Sequence, residues 1–323
     1  MIARATALIL LSTTWTARAR DYDPLHISTN AVQTLDLKIH DPRRKRDIPV
    51  LIYLTESEKP ASVVLFSHGL GGSRSGNPYL GTHWARRGYT AVFVQHPGSD
   101  HDVWQNIPPN ERMKALEKAA GGKNYMLRVK DIPGVIDQLT EWNTTEDHPL
   151  CGKLDLDRIG MSGHSFGALT TQAVSGQSAG RGRITFRDPR IKAACAFSPS
   201  IPALGKPEDA FSTVDIPWMI MTGTKDDAFI GNSDAASRLR VYPALPAGGK
   251  YEVVLHNAEH SAFGERGLPG DREPRNPNHH RVILALSTAF WDAHLAGNPD
   301  ALAWLNGDGP KSVLEKQDRW QRK

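Results

Sequence analysis

Residues Arg158 to Thr170 read RIGMSGHSFGALT. A short apolar run leads into Gly163-His164-Ser165-Phe166-Gly167, and ALTTQAV (168–174) continues as a helix would. The pattern G-x-S-x-G between a strand and a helix predicts a sharp, strained turn that lifts the serine clear of the sheet. Its neighbours must be small for that turn to close. The N–H after the serine then opens a helix, where the dipole favours negative charge. A glycine-rich turn without chemistry has the same letters, so the rest of the chain must decide.

Around this stretch the chain alternates. SVVLFSHG (62–69), YTAVFVQHP (89–97), KAACAFSPS (192–200), PWMIMTGTK (217–225) and YEVVLHNAE (251–259) are near-continuous apolar runs. Such runs mark strands buried on both faces. Helical patterns separate most of them, at 77–87, 110–141 with a break at Gly121–Gly122, 166–175, 232–243 and 278–296. Strand and helix in turn predict an α/β fold with a mostly parallel central sheet and helices on both faces. TLDLKIHD (34–41) and IPVLIYLTE (48–56) flank PRRKR, which predicts an N-terminal antiparallel hairpin with the basic run as a solvated turn. Only about 17 residues join the Ser198 strand to the Ile216 strand, which leaves no room there for a large lid.

The chain has 323 residues, 39% hydrophobic and 23% charged, enough for a sizeable core. Its net charge is +4, and no basic stripe with interleaved aromatics points to nucleic acid. MIARATALILLSTTWTARAR opens with an arginine, an apolar run and Ala17-Arg18-Ala19. That is the form of a secretory signal over 1–19, predicting export and a single catalytic domain over 20–323. No segment is long enough to span a bilayer stably. An exported chain can pair Cys151 with Cys195. Two separate thiols, with Cys195 inside a strand, fit equally well.

Ligands of parallel sheets bind beyond the carboxyl ends of the strands. The residues at those ends are His68-Gly69-Leu70-Gly71-Gly72, His96, Ser165, Ser198, Asp226-Asp227 and His260. A serine nucleophile needs a base, and the base needs an orienting acid. Ser165, Asp226 and His260 supply that set in chain order, with Asp226 preferred over Asp227 because it comes first after its strand. Acyl transfer also needs two N–H groups aimed at the developing oxyanion. Phe166, directly after the serine, and Leu70, in the glycine loop after an early strand, are the candidates. No cofactor or metal is required.

Other readings compete. His256, Glu259 and His260 spell H-x-x-E-H, a zinc-hydrolase pattern that requires a helix, whereas KYEVVL before it reads as strand. Asp100, His101 and Asp102 offer metal ligands, although a solvated loop is the simpler expectation. Trp104, in the long insert over 98–130, either lines the substrate pocket or packs the insert onto the core. A non-catalytic binding protein is the remaining class, since fold does not fix function.

With FSHGLGGSR (66–74) and GHSFGA (163–168) in place, residues 34–296 resemble the α/β-hydrolases. More closely, they resemble the plasma-type (group VII) platelet-activating-factor acetylhydrolases and their bacterial dienelactone-hydrolase-like relatives. The resemblance implies a serine esterase with Ser165 and His260 in the triad and Leu70 and Phe166 at the oxyanion hole. It departs at the acid: the plasma enzymes carry it after the strand following the nucleophile, where this chain has AFSPS. Asp226, one strand later, is similar to the placement in dienelactone hydrolases and bacterial cutinases. Esters of short acyl or acetyl groups are the expected substrates. A lipase- or cutinase-like activity on lipid or polymer esters is the alternative, weakened because cutinases place a tryptophan near SPSI and none is there.

Overall fold

A computed structural model describes residues 22–231 and 233–323. The signal expected over 1–19 lies outside these residues. The hairpin forms as expected from β1 (Gln33–Asp41) and β2 (Arg46–Leu54), paired antiparallel from Gln33↔Leu54 to Asp41↔Arg46. β3 (Ala61–Ser67) follows, every residue buried. Helix α1 (Pro78–Arg87) returns the chain to β4 (Thr90–Val94). The long insert then folds as α2 (Asp102–Gln105), α3 (Pro109–Ala119) and α4 (Gly122–Thr144), broken at Gly121–Gly122 as predicted.

β5 (Leu154–His164) leads into α5 (Phe166–Val174), and a small hairpin, β6 (Ser178–Ala179) and β7 (Ile184–Thr185), stands apart from the main sheet. β8 (Ile191–Phe197), the five-residue α6 (Pro207–Phe211) and β9 (Trp218–Lys225) come next. The helix expected over 232–243 is instead two short pieces, α7 (Ala235–Arg238) and α8 (Val241–Ala244). Asp234 caps the first through Ser237 N–H, and Pro243 and Pro246 keep the second from extending. β10 (Lys250–Glu259) ends in a 3₁₀ turn at His260–Phe263. α9 (Pro277–His294), α10 (Pro299–Asn306) and β11 (Arg319–Arg322) complete the chain.

The nine-stranded sheet runs β1-β2-β4-β3-β5-β8-β9-β10-β11. β4, β3, β5, β8, β9 and β10 are mutually parallel, with antiparallel strands at both edges. Alternate residues of β3 enter two cores. Val63 and Leu65 pack with Val129, Ile132, Val135 and Ile136 of α4 on one face. Val64 and Phe66 pack with Trp84 of α1 and Phe290 and Trp291 of α9 on the other. From β3 the chain crosses to β4 on one side and later to β5 on the other. The crevice at such a reversal is where doubly wound sheets bind ligands, and here it opens at the ends of β3 and β5. Cys151 is exposed and Cys195 buried, both free thiols.

Trp84 is fully buried, edge-on to Trp291 at 6.0 Å between ring centroids, and donates to Ser287 Oγ. Trp84→Ala should cost about 3–5 kcal/mol in urea unfolding at constant m-value. A loss below about 1 kcal/mol would mean that the α1–α9 layer adjusts freely.

Candidate active site

Ser165 follows β5 with φ 57° and ψ −115°, a left-handed backbone that a residue with a side chain adopts only under constraint. The constraint is α5 pressed against the end of β3. A Cβ built on Gly167 would lie 1.8 Å from the Ser67 carbonyl oxygen. One built on Gly163 would lie 2.4 Å from that of Gly167. The two glycines thus let helix and strand touch, and the serine between them absorbs the turn.

Three strand ends meet there. Ser165 Oγ is 2.8 Å from His260 Nε2, and His260 Nδ1 is 2.6 Å from Asp226 Oδ1. Asp226 is fully buried, and its other oxygen accepts from Thr222 Oγ1 at 2.8 Å. Burial works against its charge, yet the His260 hydrogen bond and the nearby Arg238 outweigh this and hold the carboxyl at about 2. An ionised Asp226 requires the proton on His260 Nδ1, leaving Nε2 free to accept from Ser165. Asp227, by contrast, is exposed and caps the backbone N–H of Ala235 at 2.8 Å.

Two side chains around this set carried no sequence expectation. His164 donates from Nε2 to the His260 carbonyl at 3.1 Å and lies 4.7 Å ring to ring from His260. Burial and the neighbouring His260 push its pKa down to about 3, so it is neutral. Arg238 is buried and donates from Nε to the Asp226 carbonyl at 2.8 Å. Its Nη1 donates to the carbonyls of Ser198 and Pro199 at 2.7 and 2.9 Å. It therefore ties the acid's loop to the loop after β8, 3.2 Å from Asp226 Oδ1.

The Leu70 loop stands on the other side of the serine. A Cβ on Gly69 would be 3.6 Å from Ser165 Cβ. The Gly69 carbonyl is held by His68 Nδ1 at 2.6 Å and by Gly72 N–H at 3.1 Å. In a trans peptide the N–H points opposite its carbonyl, so the Leu70 N–H faces away from this anchorage. Among the described residues, neither the Leu70 nor the Phe166 N–H has an acceptor. Trp104 is half-buried against the same loop: its Nε1 donates to the Gly71 carbonyl at 2.8 Å. Arg112 lies 5.6 Å over its ring.

An open groove of about 520 Å³ adjoins His260. Lys225, Asp227, Phe229, Asp271, Arg272 and Glu273 line it, a mixed-charge rim with one exposed aromatic. Among the described residues, metal-competent ligand atoms gather in threes only at Asp100, His101 and Asp102. The solvated loop expected there is corrected for Asp100, which is buried and accepts from Gln95 Nε2 at 2.7 Å. His256 and Glu259 sit in β10, not on a helix, and Glu259 accepts from the backbone N–H groups of Arg272 and Glu273. The PRRKR turn is solvated at Pro42, Arg43 and Lys45, and the expectation is corrected only for Arg44 and Arg46. Arg44 and Arg46 reach the buried Asp131 at 2.7 and 2.8 Å, and that network continues inward to the Leu70 loop. No protein-family model and no curated protein matches this chain.

Because the Asp226 carboxyl is held at about 2 in the folded chain and titrates near 3.9 unfolded, its contribution to stability is present above about pH 5. It is lost as pH falls from about 4 towards 2. Thermal melts of Asp226→Asn should show a flatter decline over that window than the unsubstituted protein. Equal slopes would show that Asp226 is not held low.

Proposed function

We propose that this chain is a serine carboxylic-ester hydrolase with an α/β-hydrolase fold, akin to the acetylhydrolase- and dienelactone-hydrolase-like branch that its motifs resemble. The observation that carries this reading is the unbroken hydrogen-bond chain Ser165–His260–Asp226, set beside the two unpartnered N–H groups of Leu70 and Phe166. The strained strand–serine–helix turn and the position of all three residues beyond parallel strand ends support it.

Ser165 Oγ attacks the ester carbonyl carbon while His260 Nε2 takes its proton. Asp226 holds the imidazole in the required tautomer and stabilises its cationic form. The carbonyl oxygen, now negative, accepts from the Leu70 and Phe166 N–H groups. The intermediate collapses, the C–O bond to the alcohol breaks, and His260 returns the proton to the leaving oxygen. Water then adds to the acyl-serine, giving its proton to His260, and the acid departs with Ser165 restored. Esters of short acyl groups such as acetyl come first in this proposal, because the connection from β8 to β9 holds only the five-residue α6 and no large lid. Export from the cytosol accompanies this proposal, resting on the 1–19 sequence alone.

An organophosphate should label the protein covalently at Ser165, located by mass spectrometry, with loss of activity on p-nitrophenyl acetate. Ser165→Ala should lower kcat by about 10⁴-fold or more while keeping the fold. Chelator-sensitive activity without an adduct would point to a metal hydrolase, and absence of both activity and adduct to a binding protein. Asp226→Asn should reduce kcat by about 10²-fold or more, and Asp227→Asn by less than about threefold. Equal losses would remove Asp226 from the triad.

A further inference from the structure

One buried cation reaches both the root of the loop that carries the Leu70 N–H and the ring of Phe166. Arg128 of α4 is fully buried. Its Nη2 donates to the carbonyl of His68, the residue that leads into Gly69-Leu70, and to Ser67 Oγ at 3.1 Å. Nη1 donates to Ser99 Oγ at 3.0 Å and Nε to Thr170 Oγ1 at 3.2 Å. The guanidinium carbon lies 4.6 Å from the centre of the Phe166 ring. Thr170 in turn donates to the Phe166 carbonyl at 3.1 Å. One planar group therefore grips the root of the Leu70 loop, the start of α5 and the loop after β4.

The four hydrogen-bond partners of Arg128 are all neutral. Burying a guanidinium whose direct hydrogen-bond partners are all neutral is costly. Packing alone gives no reason for an arginine there. Burial draws its pKa down to about 9, against the pull of Asp131 and Asp100, so the charge persists at neutral pH. A second layer supports it. Asp131, held by Arg44 and Arg46, accepts from His96 Nδ1 at 2.9 Å, and His96 Nε2 accepts from Ser67 Oγ at 2.9 Å. His68 is fixed in turn: Nδ1 donates to Gly69, and Nε2 accepts from the His96 N–H at 3.1 Å. Every hydrogen in this chain has a direction, and it ends at the His68 and Gly69 carbonyls.

We infer that Arg128 is a positioning residue for oxyanion stabilisation: by gripping the His68 carbonyl and the Phe166 ring together, it sets the Leu70 and Phe166 N–H groups at one spacing. This rests on the ester-hydrolase reading. Misplaced donors weaken only the transition state, because the ground-state carbonyl is a poor acceptor by comparison.

The test compares Arg128→Met, Arg128→Lys and Phe166→Leu on p-nitrophenyl acetate, with circular dichroism to establish folding. Arg128→Met should lower kcat about a hundredfold, the scale of losing one oxyanion donor, with KM within about threefold. Arg128→Lys should recover part of that loss, since it keeps the charge without the planar fork. Phe166→Leu, which removes the ring but not the N–H, should lower kcat about tenfold. The rate of organophosphate labelling at Ser165 should fall in parallel. Folded Arg128→Met with undiminished kcat, or with the loss confined to KM, overturns the inference. If Arg128→Met does not fold, undiminished kcat in both Arg128→Lys and Phe166→Leu overturns it. An unsubstituted protein with neither activity nor adduct fails the ester-hydrolase reading itself, which that control alone identifies.

Discussion

Where Gly167 meets the Ser67 carbonyl there is no room even for a methyl group. That contact brings the start of α5 against the end of β3. It leaves Ser165 the only way round the corner, a left-handed backbone with its side chain standing off the sheet. It also brings Ser165 beside the Gly69–Leu70 loop, where a Cβ on Gly69 would lie 3.6 Å from Ser165 Cβ. The turn at Ser165 and the start of α5 thus follow from one close approach. The strain is borne by the buried parallel strands on either side, where β3 and β5 share a continuous ladder from Val63↔Ile159 to Ser67↔Gly163.

Two buried arginines flank the serine, and they do related work on opposite sides. Arg238 crosses from the Asp226 carbonyl to those of Ser198 and Pro199, joining the loops after β9 and β8. Arg128 joins the loops after β3 and β4 to the start of α5. Loops at strand ends move more readily than the strands themselves. A guanidinium offers five donors in a rigid plane, so it can hold several acceptors at once in a fixed geometry. Trp104 adds a third tether by capturing the Gly71 carbonyl.

Much of this was legible in the chain. The apolar runs had to be buried on both faces, so the parallel sheet and the crevice at its carboxyl edge followed, and with them Ser165, Asp226 and His260 as strand-end residues. The choice of Asp226 over Asp227 rested only on order after the strand, and the structure separates them by burial and partners. The arginines were not foreseen, although one signal was present. Arg128 and Asp131 interrupt the apolar stripe of α4 that includes Val129, Ile132, Val135 and Ile136. Charges three apart within a buried helical stripe mark a satisfied internal network. PRRKR read as a solvated turn because its acceptor, Asp131, is 85 residues beyond Arg46.

By itself, then, the sequence determined the alternation of elements, the glycine-lined turn and the chemical types available at each strand end. These are local properties, set by hydropathy over a few residues and by the space a glycine leaves. Tertiary structure decided which of those residues meet. It joined Asp226, His260 and Ser165 from three strand ends, and it buried Asp100 in what read as a solvated loop. It also placed one arginine against two loops distant in sequence. Hydrogen bonds between such positions depend on how strands are ordered across the sheet, and no short stretch of sequence carries that order.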